Sequence, residues 1–280
     1  MARSKKNKSI GEVVSEIRML RVGKGSSTFL VVESQPDSAF WAVRTCASCD
    51  IVDATCKSVG VGAVRRLNGT AQTGHVGVFD RDYDDAMTTS NWRANILFWD
   101  AHSIETVLFE TSAFDRILPE LISADDLAAL ESRLGSTLRE YVARTATAIG
   151  AIRWLLYLSG ITDDDDHMSP YRIAESTGSV PQPESALEAG VRAGAAPTVQ
   201  QLRKKLLHPD INIPPRSLMR GHDISALTSL ALERVGRVSC SGKKIEQLLR
   251  VALTQADFLE FSLVRELREW EANTTNSQIF

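Results

Sequence analysis

The sequence predicts an α/β fold, a parallel sheet with flanking helices followed by a mostly helical region. Three observations predict it. Over residues 25–115, short apolar runs alternate with amphipathic stretches, the rhythm of βαβ units. Those runs are continuous rather than alternating, as in strands buried on both faces. After Trp99 strand signals almost vanish, while helix-like periodicity continues to about residue 275.

The elements follow in order. Residues 1–24 read as a basic N-terminal segment and a helix. Ser9 caps Ile10–Leu20, which carries Ile10, Val13, Val14, Ile17 and Leu20 on one face, and Gly23–Ser27 breaks it. Thr28–Glu33 is the first strand, bounded by a turn signal. Ser34–Asp37 is a loop, and Ser38–Cys46 fits a helix. Asp50–Ala54 is a second strand, and Val59–Leu67 a second helix ending at Asn68-Gly69. His75–Asp80 and Asn95–Trp99 are the third and fourth strands.

Helices are then expected at Ser103–Glu110, Ala124–Leu158, Pro183–Arg192, Val199–Leu207, Asp223–Val235 and Lys243–Trp270. Thr162–Pro183, with four consecutive aspartates and three prolines, reads as an exposed loop. The expected domains are an α/β unit at 25–115 and a helical region at 120–275, without internal repeats.

A 43% hydrophobic and 24% charged composition suits a globular chain with a real core. No apolar run approaches the roughly 18 residues of a membrane span, and no apolar signal core follows the basic start. A cytoplasmic protein without a membrane partner is expected. A net charge of −3 argues against a polycation that coats nucleic acid, although local basic groups can still contact phosphates. Cys46-Ala-Ser-Cys49 has the spacing of a zinc knuckle or a redox pair, with Cys56 close by. Only Cys240 remains and no second such pair exists, so ordinary thiols are the expected state.

Chemistry in open parallel sheets gathers beyond the carboxyl ends of the strands. Glu33 ends the first strand, Asp80 ends the third, and Asp82 follows after one residue. Asp37, one loop later, can reach the same rim. Crowded carboxylates disfavour one another's charge, and a hard cation such as Mg²⁺ (or Mn²⁺) relieves this with oxygen ligands. An Asp-x-Asp pair leaving a strand can present both carboxylates on one side, since alternate residues share a face. The competing reading is a polar acidic loop at 80–85.

Val31-Val-Glu33-Ser-Gln-Pro-Asp37 and Val78-Phe-Asp80-Arg-Asp82-Tyr-Asp84 resemble the TOPRIM domain of primases, type II topoisomerases and OLD-family nucleases. The match is closer to a TOPRIM-like family first catalogued as a domain of unknown function, which includes the effector nuclease of the PARIS anti-phage system. Cys56-Lys57-Ser-Val59 resembles its Gly-Lys motif, with cysteine standing in place of glycine. Asp100-Ala-His102-Ser-Ile-Glu105 resembles a segment in which a glutamate opens the helix after the fourth strand.

The resemblance spans about residues 25–115 and implies a Rossmann-like sheet and a metal-dependent nuclease. It implies Glu33 as metal ligand or acid–base group, Asp80 and Asp82 as the metal pair, and Asp37 and Glu105 as further ligands. Lys57 would be a catalytic partner of the scissile phosphate. The implied substrate is nucleic acid, either RNA such as tRNA or DNA. An ABC-type, OLD-like partner ATPase would hold the effector in check or assemble with it, with a homodimer among the allowed assemblies.

Arg65, Arg66, Lys204 and Lys205 are candidate substrate contacts, and Arg203, Arg216, Arg220, Lys243 and Lys244 are further basic positions. A solvated helix face is the alternative for each. Gly242-Lys-Lys lacks the remainder of a phosphate loop, and Gly60-Val-Gly62 gives no dinucleotide fingerprint, so ATP binding by this chain is discarded. Asp223 is expected to cap its helix, with His222 beside it as a lesser candidate. A non-catalytic binding module with a vestigial acidic rim is the alternative function. A nucleotidyl or phosphoryl transferase using the same metals is a third.

Overall fold

The computed structural model describes residues 8–25, 27–70, 72–83, 95–163, 166–207 and 213–280. Most of the basic start, Asp84 and Asp85, and two of the four consecutive aspartates lie outside them. The chain forms two compact units, Met1–Asp100 with Gln255–Phe280, and Ala101–Thr254.

The first unit is built on four parallel strands, β1 (Thr28–Val32), β2 (Cys49–Asp53), β3 (His75–Phe79) and β4 (Ile96–Phe98), in the order β2-β1-β3-β4. Its first helix, α1 (Ile10–Lys24), opens with a reciprocal cap between Ser9 and Glu12 and closes at Gly25, which takes the left-handed conformation. The helix runs past the expected break at Gly23. α2 (Gln35–Ala42) starts directly after β1, earlier than expected, with Pro36 in its first turn. α3 (Lys57–Asn68) connects β2 to β3.

The two faces of the sheet are covered differently. Val13, Val14 and Ile17 of α1 pack with Val61, Val64 and Leu67 of α3 against Phe29, Val31 and Phe79. The side chains of α3 and β3 interlock closely. A Cβ added at Gly60 or Gly77 would fall 2.4 Å from the Phe79 ring. On other contacts the unit is aromatic: Trp41 of α2 stacks on Trp99 with centroids 5.8 Å apart, and Phe40, Phe258 and Phe261 meet these rings edge-on. Each such buried ring contributes about 2–3 kcal/mol.

Those last contacts explain why the compact units differ from the expected bounds. Phe258 and Phe261 belong to the C-terminal stretch, yet their partners are Trp41 and Trp99. The tail is tied down as well: Gln278 N–H donates to Thr28 Oγ1 at 2.8 Å and Ile279 O accepts from Cys46 N–H at 2.7 Å. Residues 255–280 thus complete the sheet unit rather than the helical one.

The second unit contains α4 (Ile104–Glu110), α5 (Ala113–Leu121), α6 (Ala124–Leu134), α7 (Leu138–Leu158), α8 (Pro170–Thr177), α9 (Pro183–Arg192), α10 (Val199–Leu206), α11 (Pro215–Leu218), α12 (Gly221–Arg234) and α13 (Gly242–Ala252). The helix expected over Ala124–Leu158 is two helices. Gly135 ends the first in the left-handed conformation, and Thr137 with Glu140 caps the second. Lys243–Trp270 likewise divides into α13, α14 (Gln255–Leu259) and α15 (Ser262–Asn273). The expected loop at 162–183 contains α8, started by Pro170 and stopped by left-handed Gly178. No helix among the described residues is long and apolar enough to cross a membrane.

Among the described residues, buried ion pairs stand out in this unit. Arg153 Nη1 donates to both carboxylate oxygens of Asp223, at 2.8 and 3.1 Å, and Nη2 donates to Met168 O at 2.8 Å. Asp223 is therefore not the expected cap. Arg220 holds the cap position of α12, and Asp223 points inward from its first turn. A second pair joins Glu105 to Arg250.

Candidate functional site

The sheet order creates one special position. From β1 the chain moves to β2 on one side, and from β2 it returns to β3 on the other side of β1. The connections diverge there, leaving a crevice beyond the carboxyl ends of β1 and β3. Val32 pairs with Val78 in register, so Glu33 leaves β1 opposite Phe79, one residue short of Asp80, at the mouth of that crevice.

Glu33 is partly buried, and its Oε2 accepts from the Asp80 N–H at 3.4 Å. Burial pushes its carboxyl up to about 7, with the Asp82 and Asp37 charges adding to the rise. The Asp80 N–H and Lys57 oppose the rise without cancelling it. Asp37 lies in the first turn of α2, where its Oδ2 accepts from Ser34 Oγ at 2.6 Å. A carboxylate there is favoured by the helix dipole.

Asp82 arrives by a different route from the one expected. Its φ is +52°, in the left-handed region, so strand alternation does not carry the Asp-x-Asp pair. A turn does, and aspartate tolerates that conformation better than most residues. Lys57, the first residue of α3, holds the turn from outside. Its Nζ donates to Arg81 O at 3.0 Å and to Asp82 Oδ2 at 2.9 Å, and sits 5.5 Å from the Phe98 ring centroid. The rim thus gathers Glu33, Asp37, Asp80 and Asp82 with one lysine.

The remaining expected site residues go elsewhere. Arg65 and Arg66 occupy the exposed last turn of α3, about 12 Å from Lys57 along the helix axis. They stand toward the amino ends of the strands, not at the acidic rim. Glu105 is buried in the helical unit, with its carboxylate taken by Arg250. Lys204 and Lys205 are exposed on α10, where Lys205 Nζ donates to Ala195 O at 2.7 Å.

Protein-family models and curated proteins were both searched, and neither gives a match.

Asp100 and Glu266 were not among the expected site residues, although Asp100 stands in the motif that contains Glu105. Asp100 lies just past β4, and Glu266 lies on α15. Burial raises the Glu266 carboxyl, Asp100 raises it further, and Arg81 lowers it. Asp100 had a signal, since it follows an apolar strand as Glu33 and Asp80 do. Glu266 had none, because only the tertiary fold brings α15 to the sheet unit.

Among the described residues, no three His, Cys, Asp or Glu side chains form a ready metal-holding group. The rim donors are hard carboxylate oxygens, the kind that Mg²⁺ and Mn²⁺ take, and Mg²⁺ commonly uses only one or two of them. Burial first, and the Asp82 and Asp37 charges after it, raise the Glu33 carboxyl.

Proposed function

We propose that the rim at β1 and β3 is the site of a metal-dependent nuclease of the TOPRIM type that hydrolyses phosphodiester bonds. The observation that carries this reading is the meeting of Glu33 with Asp80, whose N–H donates to Glu33 Oε2 at 3.4 Å, at the crevice where the sheet connections diverge, with burial, Asp82 and Asp37 raising the Glu33 carboxyl to about 7. A carboxyl that titrates near neutrality is suited to exchanging a proton with an attacking water or a leaving oxygen.

In this reading Asp80 and Asp82 hold Mg²⁺ or Mn²⁺, with Glu33 or Asp37 beside them. The metal, when bound, supplies charge stabilisation at the phosphate and lowers the pKa of water. Lys57 keeps the Asp82 turn in place and adds a positive charge next to the phosphate. Nucleic acid is the substrate, RNA such as tRNA or DNA. A cytoplasmic anti-phage effector regulated by a separate ATPase follows from the family resemblance.

The test is cleavage of plasmid, single-stranded DNA and tRNA with and without Mg²⁺ or Mn²⁺, by the chain alone and together with a partner ATPase. Activity should require metal and disappear in Glu33→Ala and Asp80→Ala. Cleavage surviving both substitutions removes the site assignment. A folded wild type that binds nucleic acid or the ATPase but never cleaves supports a binding module instead.

A further inference from the structure

We propose that Cys46 and Cys49 form a redox site, a dithiol that a disulfide oxidant closes to an intramolecular disulfide, loosening the C-terminal tail. All four cysteines are free thiols. The geometry for closure is local. Cys49 N–H donates to Cys46 O at 3.1 Å, so residues 46–49 form a hydrogen-bonded turn. Such a turn brings its end Cα atoms within about 7 Å. A disulfide needs about 4.4–6.8 Å, so closure requires side-chain rotation and little movement of the chain.

The two sulfurs are unequal. Cys49 begins β2 and is buried, and its thiol is pushed up to about 12 by burial first and by Cys46 next. Cys46 is partly exposed, with its Sγ 3.0 Å from Ser48 Oγ and 3.4 Å from Gln278 O. Cys46 is therefore the entry point and Cys49 the resolving thiol. The Cys46 thiolate attacks one sulfur of the oxidant and releases one thiolate. Cys49 then gives its proton to the thiolate released in the first step and its sulfur attacks Cys46 Sγ, forming the S–S bond and expelling the second thiolate. Two protein thiols are oxidised and one external disulfide is reduced to two thiols.

Closure turns Cys46 Sγ away from Gln278 O, and the tail loses one of its ties. The tail also depends on Gln278 N–H to Thr28 Oγ1 and on Ile279 N–H to Glu271 Oε1 at 2.7 Å. Thr28 pairs with Cys49 at the amino ends of β1 and β2, the opposite end of the sheet from Glu33. The redox site is thus distinct from the acidic rim, and its chemistry does not depend on the nuclease reading.

The experiment exposes the reduced full chain to oxidised glutathione at pH 8 and follows intact mass, peptide mapping and hydrogen exchange. The expected product is about 2 Da lighter, with the bond mapped between Cys46 and Cys49 and restored by dithiothreitol. Cys46→Ser and Cys49→Ser should abolish it, whereas Cys56→Ser and Cys240→Ser should not. Amides at 278–280 should exchange at least about threefold faster after oxidation. A lasting glutathione adduct on Cys46, or four thiols unchanged, overturns the site. Closure with unaltered exchange in the tail overturns the coupling.

Discussion

Lys57 Nζ lies 2.9 Å from Asp82 Oδ2 and clasps the turn that brings Asp82 towards Glu33. The lysine side chain is 15% exposed and the aspartate 46%, so the pair is only partly screened. Lys57→Met should cost about 1 kcal/mol in urea unfolding. It should also raise the Glu33 pKa further, because Lys57 now lowers it. Carboxyl-carbon NMR titration of Glu33 reads this directly, and an unmoved pKa would mean that the lysine charge does not reach the glutamate.

Glu33 makes stability depend on pH. Its folded-state pKa, about 7, lies above the ordinary 4.5, so the folded protein holds this proton more tightly than the unfolded chain. Stabilisation from the protonated carboxyl is fully present below pH 4.5 and is lost as pH rises through 7. Glu33→Gln should therefore match the wild type near pH 4 and exceed it at pH 8 by about 3 kcal/mol. Equal unfolding midpoints at pH 8 would show that Glu33 is not perturbed.

If the rim holds a metal, the same titration reports it. Addition of Mg²⁺ should lower the Glu33 pKa, because a nearby cation favours the carboxylate. Asp80→Asn with Asp82→Asn should remove most of the Mg²⁺-dependent shift. A Glu33 pKa unaffected by millimolar Mg²⁺ or Mn²⁺ would count against metal at this position.

Inside the helical unit, Arg153 and Asp223 are 12% and 4% exposed. Arg153→Met should cost about 3–5 kcal/mol by leaving a buried carboxyl without its partner. The double change with Asp223→Leu should recover much of that loss. Thermal or urea unfolding of the two variants compares them, and an additive loss would mean that the residues act independently.

Gly150 offers a reversal of the usual helix rule. Glycine to alanine within a helix ordinarily stabilises by about 1 kcal/mol. Here a Cβ would fall 2.0 Å from the Leu218 carbonyl oxygen, a backbone atom that cannot step aside. Gly150→Ala should destabilise by about 3 kcal/mol, and a rise in melting temperature would refute that close approach.

The four strands were legible because continuous apolar runs such as Phe29–Val32 have few other places to go. Glu33 and Asp80 were legible for the same reason, since each marks where such a run stops. The break between α6 and α7 was present in the sequence, as Gly135 followed by Thr137-Leu-Arg-Glu140, but unbroken apolar periodicity concealed it. The left-handed turn at Asp82 left no local mark, because its neighbours are polar and Lys57 holds it from 25 positions away. The meeting of Phe258 and Phe261 with Trp41 and Trp99 could not be read locally either. Aromatic spacing on a helix reveals a buried face without naming what buries it.

That meeting has a consequence for how the protein is made. The helical unit is, in chain order, an insertion between two parts of the sheet unit. Trp41 and Trp99 leave the ribosome long before Phe258 and Phe261 can join them. A nascent chain halted near residue 250 therefore carries Trp41 and Trp99 without the rings that later cover them, which makes that interval the period of greatest exposure to aggregation and to chaperones.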